Sequence, residues 1–288
     1  MRKTIITALV LVTFIALVLL AAGKVATAPA NEPIGAAPDD LPVTAVEFSD
    51  SRVRVVSGWA ITGAEEKAAV LLVHGIRSNR RSMLGRARLL FENGYSVLMI
   101  DLQAHGESAG ERLTFGYREA DSVSAATSYA RNLWPGKKLA IIGTSLGGAS
   151  AIFAANRHRA DAYVLEAVYS SLRDATENRL RIRLGPAGAA LAPLLLWQTS
   201  LQLGFHADEL SAVDRIGDLK APLLVIAGEK DDRTTLANSK ALFSRAAEPK
   251  RLWVVPDARH QDFHRFNEAE YGKRVLSFLE LRLKQSAK

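Results

Sequence analysis

Apolar runs alternating with segments of helical spacing predict an α/β fold: a doubly wound, mostly parallel sheet with a helical cap inserted above it. Two further observations shape that expectation. Near the start, a pair of segments with period-2 alternation reads as an antiparallel hairpin. Later, residues 171–219 interrupt the strand–helix alternation and hold no clear strand.

The hairpin takes in Val43 to Phe48 and Val53 to Ile61. Ala68 to Val73 is apolar throughout, as expected of a strand buried on both faces. Ser82 to Asn93 has helical spacing and stops at Gly94. Tyr95 to Ile100 is the next strand, Tyr117 to Leu133 the next helix, and Lys138 to Gly143 a further strand that leads into a helix from Leu146. Tyr163 to Val168, Pro222 to Ala227 and Arg251 to Val255 complete the strands, and a last helix covers Asn267 to Lys284. In such sheets ligands bind beyond the carboxyl ends of the strands.

Residues 43–288 form this domain, and two segments precede it. Residues 1–24 hold Arg2 and Lys3, then an apolar run from Thr4 to Gly23, then Lys24. A basic start followed by an apolar stretch is the form of an export signal. At about 20 residues the run is also long enough to cross a bilayer as a helix. An uncleaved signal-anchor and a cleaved signal peptide are both open, since Ala26-Thr27-Ala28 has the small-x-small pattern but Pro29 follows it. With Arg2 and Lys3 cytoplasmic, either version puts the domain outside the cytoplasm, membrane-anchored in the first case and secreted or periplasmic in the second. Residues 25–42, rich in Ala, Pro, Gly, Asn and Asp without periodicity, read as a flexible linker.

Composition narrows the chemistry. The absence of cysteine excludes disulfides, thiol nucleophiles and cysteine-ligated metal sites. The formal charge of +7 includes Arg2, Lys3 and Lys24, and falls to +4 without them. So small a balance does not argue for nucleic acid.

The strongest chemical signal is Gly143-Thr144-Ser145-Leu146-Gly147, set between an apolar strand and a helix rich in small residues. A serine on a tight strand-to-helix turn is held clear of the sheet, and the glycines remove side chains that would clash. A free serine is a poor nucleophile and needs a base and an orienting acid. Asp231 and His260 follow the last two strands in the required order. Asp232 and Glu229 are rival acids, and the Gly228-x-x-Asp turn favours Asp231. His264 is the rival base, one helical turn beyond His260. Oxyanion donors are the backbone N–H groups of Leu146, after the nucleophile, and Ile76, in the loop His74-Gly75-Ile76-Arg77-Ser78. His74 itself reads as structural.

Val73-His74-Gly75, Asp101-Leu102-Gln103-Ala104-His105-Gly106-Glu107-Ser108, Gly143-Thr144-Ser145-Leu146-Gly147, Gly228-Glu229-Lys230-Asp231 and His260 together resemble the α/β-hydrolase superfamily, in particular the serine aminopeptidase-like hydrolases. The resemblance covers about residues 43–284. It implies serine hydrolase chemistry with no metal or organic cofactor, and it assigns Asp101 and Gly106 to turn geometry. It does not name a substrate, because this fold hosts many reactions.

The expected activity is hydrolysis of small-molecule carboxylic esters through an acyl-enzyme. Thioesterase, peptidase and acyltransferase chemistry share the same site, and a non-catalytic member that only binds a small molecule is the rival of another class. In the cap, the apolar Leu194-Leu195-Leu196-Trp197 either packs on the core, walls an acyl pocket or faces a membrane. Arg77, Arg80 and Arg81, like Arg173, Arg179, Arg181 and Arg183, read as solvated charge unless they converge on the site mouth, where they would favour anionic substrates or phospholipid headgroups.

Overall fold

The computed structural model describes residues 2–52 and 54–284. Met1, Val53 and residues 285–288, counted above in the N-terminal segment, the hairpin and the domain, lie outside the described residues. Ten strands are present among them: β1 (Ala30–Asn31), β2 (Thr44–Ser49), β3 (Val55–Ile61), β4 (Ala69–Val73), β5 (Ser96–Ile100), β6 (His105–Gly106), β7 (Leu139–Thr144), β8 (Ala162–Glu166), β9 (Leu223–Gly228) and β10 (Lys250–Val255). The helices are α1 (Arg2–Thr27), α2 (Leu84–Glu92), α3 (Glu119–Leu133), α4 (Leu146–Phe153), α5 (Leu172–Leu184), α6 (Ala192–Leu203), α7 (Ala212–Arg215), α8 (Leu236–Arg245), α9 (Phe263–Phe266) and α10 (Glu268–Arg282).

Eight strands form one sheet in the order β10-β9-β8-β7-β4-β5-β3-β2. The β2–β3 and β3–β5 pairs are antiparallel, and the remaining pairs are parallel. The mostly parallel sheet expected from the sequence is therefore present. Its central strands are apolar along their length because both faces are covered, with polar residues only at an end (Ser96, Thr144, Glu166). In β4, Ala69, Leu71 and Val73 face one core with Val123, Ala126 and Ile152 of α3 and α4. Val70 and Leu72 face the other, with Leu90 of α2 and Val275 and Leu279 of α10. The register sets Val73 beside Gly143, Thr144 beside Glu166 and Gly228 beside Val255. The strands thus end together, and the loops leaving β4, β7, β9 and β10 gather on one edge.

Two features depart from the sequence reading. Residues 25–42, read as a flexible linker, lie along the domain. Ala30–Asn31 pairs with His105–Gly106, and Ile34 and Leu41 are buried. Arg77 and Arg81, read as solvated charge, hold this segment by donating to the Val25 and Ala36 carbonyls at 2.5 and 2.7 Å. These bonds go to distant loops, so they leave no local periodicity in the sequence. The second departure concerns α1. Its last turns dock on α6 of the cap, where Gln202 Nε2 donates to the Leu20 carbonyl at 3.3 Å. Among the described residues no helix is long and apolar enough to cross a membrane, so the expected membrane anchor is unsupported.

Candidate active site

The β7–α4 turn carries Ser145 at φ 49° and ψ −110°, a conformation costly for a residue with a Cβ. Both ends of the turn are fastened. Ser145 N–H donates to the Glu166 carbonyl at 2.7 Å, and its own carbonyl accepts from Ala149 N–H at 3.0 Å. The glycines let the turn close. A Cβ on Gly147 would stand 2.3 Å from the Val73 carbonyl oxygen, and one on Gly143 would stand 2.6 Å from Gly148 N. Leu146 is the first residue of α4, so its N–H has no acceptor within the helix.

Asp231 sits three residues past β9 and is buried. Its Oδ1 accepts the N–H groups of Arg233 and Thr234, both at 2.8 Å. Its Oδ2 accepts from Thr234 Oγ1 at 2.7 Å and from His260 Nδ1 at 2.8 Å. Burial disfavours the carboxylate charge, but the bonds from His260 and Thr234 outweigh it and hold the Asp231 pKa below its ordinary value. With Nδ1 engaged by Asp231, Nε2 is the ring nitrogen left to accept a proton. The two loops cross closely at Gly228, where a Cβ would lie 2.6 Å from the Ala258 carbonyl oxygen.

The rivals sit elsewhere. Asp232 is exposed. The Glu229 carboxylate accepts Asp257 N–H at 3.1 Å. His264 is buried edge-on against Tyr271. His74 is fully buried, and burial followed by the neighbouring His105 lowers its pKa to about 3. As a neutral ring it accepts Leu102 N–H at Nε2 (3.0 Å) and donates from Nδ1 to the Gly75 carbonyl (2.7 Å), tying β4 to the loop after β5. Asp101 takes Arg80 N–H at 2.7 Å and the Arg80 guanidinium at 2.5 Å, so Arg80 is a buried partner and not a solvated charge.

Ser145 and His260 line one cavity of about 210 Å³, together with Gly75, Ile76, Arg179 and Arg233. Beneath it lies a network that sequence reasoning missed. Glu166, at the end of β8, is fully buried and takes Arg86 at 2.5 and 3.1 Å, Tyr271 Oη at 2.5 Å and Thr144 Oγ1 at 3.3 Å. Arg86 also reaches Asp262 at 2.9 Å. Glu166 thus braces the turn twice, through its carbonyl and its carboxylate. A glutamate ending an apolar strand was the available signal, but its partners lie 80 and 105 positions away. Thr234, which bonds both Asp231 and His260, was equally unmarked.

α5 reaches the cavity through Arg179, and α6 packs against α5. On α6, Leu196 and Leu203 pack on the core, whereas Trp197 and Leu201 remain 62% and 67% exposed.

Residues 64–209 match the family model described as Serine aminopeptidase, S33. The uncharacterized protein Rv2307c of Mycobacterium tuberculosis is 30% identical over 246 residues, covering 81% of this chain and 78% of that protein. The uncharacterized protein YqkD of Bacillus subtilis is 25% identical over 229 residues, covering 78% of this chain and 75% of that protein. Among solved structures, the Pyrococcus furiosus esterase Pf2001 superposes with a TM-score of 0.71 at 24% identity, covering 88% of this chain and 99% of that one. The ferulic acid complex of Est1E from Butyrivibrio proteoclasticus gives 0.64 at 17% identity, covering 83% and 100%. At these identities the solved structures establish the fold, and the family match establishes the rest: the chain belongs to the serine aminopeptidase-like α/β hydrolases.

Proposed function

We propose that this hydrolase cleaves carboxylic esters through an acyl-enzyme, with Ser145, His260 and Asp231 as its triad. The observation that carries the reading is the Asp231-bound His260 sharing one cavity with a serine held on a strained elbow. Ser145 Oγ attacks the ester carbonyl while His260 Nε2 takes its proton. The tetrahedral oxyanion is held by the N–H groups of Leu146 and Ile76. Collapse breaks the ester bond, and His260 returns the proton to the leaving alcohol. Water then attacks the acyl-enzyme along the same route, releasing the acid and regenerating the serine. Asp231 keeps its charge throughout and stabilises the imidazolium.

A fluorophosphonate probe tests this directly, since it labels only an activated serine. Labelling at Ser145 supports the reading, and an unlabelled, folded protein overturns it. Ser145→Ala abolishes labelling and lowers ester hydrolysis by on the order of 10⁴- to 10⁶-fold. Retention of more than about a tenth of the activity would sink the assignment.

We also place the domain outside the cytoplasm. The basic pair and apolar run of α1 support export, and Leu9, Val10, Phe14 and Leu17 stay exposed, so the fold does not consume them. A mature N-terminus between Lys24 and Asn31, read by mass spectrometry, is the expected result. An intact N-terminus in exported protein would replace cleavage with retention of the segment.

A further inference from the structure

Three arginines line the cavity that holds Ser145 and His260: Arg86, Arg179 and Arg233. They are not equivalent. Arg86 is neutralised by Glu166 at 2.5 Å and Asp262 at 2.9 Å. Arg179 and Arg233 have no carboxylate within ion-pair distance among the described residues. The Arg179 guanidinium only reaches the Ala175 carbonyl of its own helix, at 3.5 Å.

The fold holds these two like charges together. Arg179 is on α5 of the cap, and Arg233 is on the loop after Asp231. Asn178, buried beside Arg179 on α5, donates to the Arg233 carbonyl at 3.1 Å and clamps that loop to the cap. From the other side, Arg233 N–H is fixed on Asp231 at 2.8 Å. Burial, and then the charge of Arg233, pull the Arg179 pKa below its ordinary value. Asp231 is the carboxylate that favours the Arg179 charge, and its oxygens are already engaged by His260, Thr234 and the Arg233 amide. A free surface arginine would swing into water. Here the half-buried Arg179 guanidinium lines the cavity of Ser145 together with the exposed Arg233, and neither has a counter-charge among the described residues.

We propose that Arg179 and Arg233 form an anion-binding pair, and that the ester cleaved at Ser145 carries a carboxylate or phosphate close to its scissile bond. The inference rests on the ester hydrolase reading and narrows it to acidic esters. Guanidinium forks match either anion with paired charge-assisted hydrogen bonds. A bound anion supplies the counter-charge that the pair lacks.

Two measurements test it. The first compares kcat/KM for matched anionic and neutral esters. One pair is p-nitrophenyl hemisuccinate and p-nitrophenyl 4-methylpentanoate, which places the charge on the acyl side. The other is butyrylglycerol 3-phosphate and butyrylglycerol, which places a phosphate on the alcohol side. The expected result is preference for the anionic member of at least one pair, and the pair concerned identifies the side. In Arg179→Met/Arg233→Met that preference falls by about 10- to 100-fold, the usual worth of hydrogen bonds to charged groups. Arg179→Lys keeps part of it. Arg173→Met, at an exposed arginine paired with Asp208 at 3.2 Å, keeps all of it. The second measurement needs no turnover: succinate or inorganic phosphate, added alone, raises the Tm of the wild type but not of the double variant. No anionic preference in either pair, or one that survives in the double variant, overturns the proposal. Anion-dependent stabilisation without fluorophosphonate labelling would overturn the esterase reading and leave the pair standing.

Discussion

The loops at the carboxyl edge of the sheet and the cap above them are held together in different ways. At the edge, the two buried carboxylates that hold the site are fully engaged. Asp231 accepts four hydrogen bonds, from two amides, a hydroxyl and an imidazole. Glu166 is tied to Arg86, Tyr271 and Thr144. In the cap, α6 buries Gln198 with no partner for either side-chain polar atom among the described residues, while Trp197 and Leu201 face outward. Saturated buried networks fix geometry, and unsatisfied ones cost stability and leave slack. The edge therefore holds Ser145, Asp231 and His260 in place, while the cap, which brings Arg179 to the same cavity, is less tightly fixed.

The comparison breaks most visibly if the edge tolerates substitution. Asp231→Asn keeps the size of the side chain but loses the charge that orients His260. Hydrolysis should fall by about 10⁴-fold, the usual cost of a neutralised triad acid. Asp232→Asn, one residue on and exposed, should leave the rate close to wild type. Equal losses in a side-by-side kcat/KM measurement would misplace the acid.

Glu166→Gln tests the bracing beneath the elbow. Breaking a buried pair strands the remaining charge, at a cost of about 3–5 kcal/mol. Arg86 retains Asp262, so the lower end is expected in urea unfolding. Asp262→Asn, at a half-exposed partner of the same arginine, should cost much less. Similar losses for the two would show that Glu166 is not the central member.

The buried histidines make stability depend on pH. Burial lowers the His74 pKa to about 3, and burial, with the nearby Arg157 charge, lowers that of His158 to about 4. In the unfolded chain both take a proton near pH 6.5. Below that pH the unfolded state binds more protons than the folded one, so stability falls as pH drops. The contribution is complete above about pH 6.5 and is lost progressively toward pH 4, at up to about 1.4 kcal/mol per pH unit for each histidine. His158→Leu, at a ring with no hydrogen-bond partner for either nitrogen among the described residues, should flatten part of that slope, since the buried His105 and His264 are shifted in the same direction. An unchanged slope would exclude His158 as a source.

The two regions also differ in how far they could be read from sequence. The edge was largely legible. Ser145 is bracketed by glycines that a tight turn requires, and Asp231 and His260 each follow an apolar strand at short range. Glu166, Thr234 and the Arg80–Asp101 pair were not legible, because their partners are brought close only by the fold. In the cap, the apolar run on α6 was visible, but which residues face the core depends on how the helix is rolled. The docking of residues 25–42 was hidden for the same reason: a segment bonded to distant carbonyls carries no period of its own.

The smallest effect tests whether the slack in the cap comes from α1. Gly23 lies against Gln198 so closely that a Cβ there would stand 2.3 Å from Gln198 Oε1. Covering an amide without offering it a partner costs about 1–3 kcal/mol. The same docking gains the Gln202 bond to the Leu20 carbonyl, the Leu113 N–H bond to the Thr27 carbonyl and the Arg77 bond to the Val25 carbonyl, each worth about 1 kcal/mol net. These contributions nearly cancel, so a chain beginning at Ala28 should unfold at almost the same urea concentration as the full chain. The informative variant is Gln198→Leu, made in both chains. In the full chain it removes two orphaned polar atoms and should stabilise by about 1 kcal/mol. In the shortened chain Gln198 is open to water, so leucine gains nothing there and adds one more exposed apolar side chain to those of Trp197 and Leu201. A difference of about 1 kcal/mol between the two backgrounds measures the coupling between α1 and α6. An identical response in both would mean that α1 does not cover Gln198, and the poor polar pairing of the cap would then belong to the cap alone.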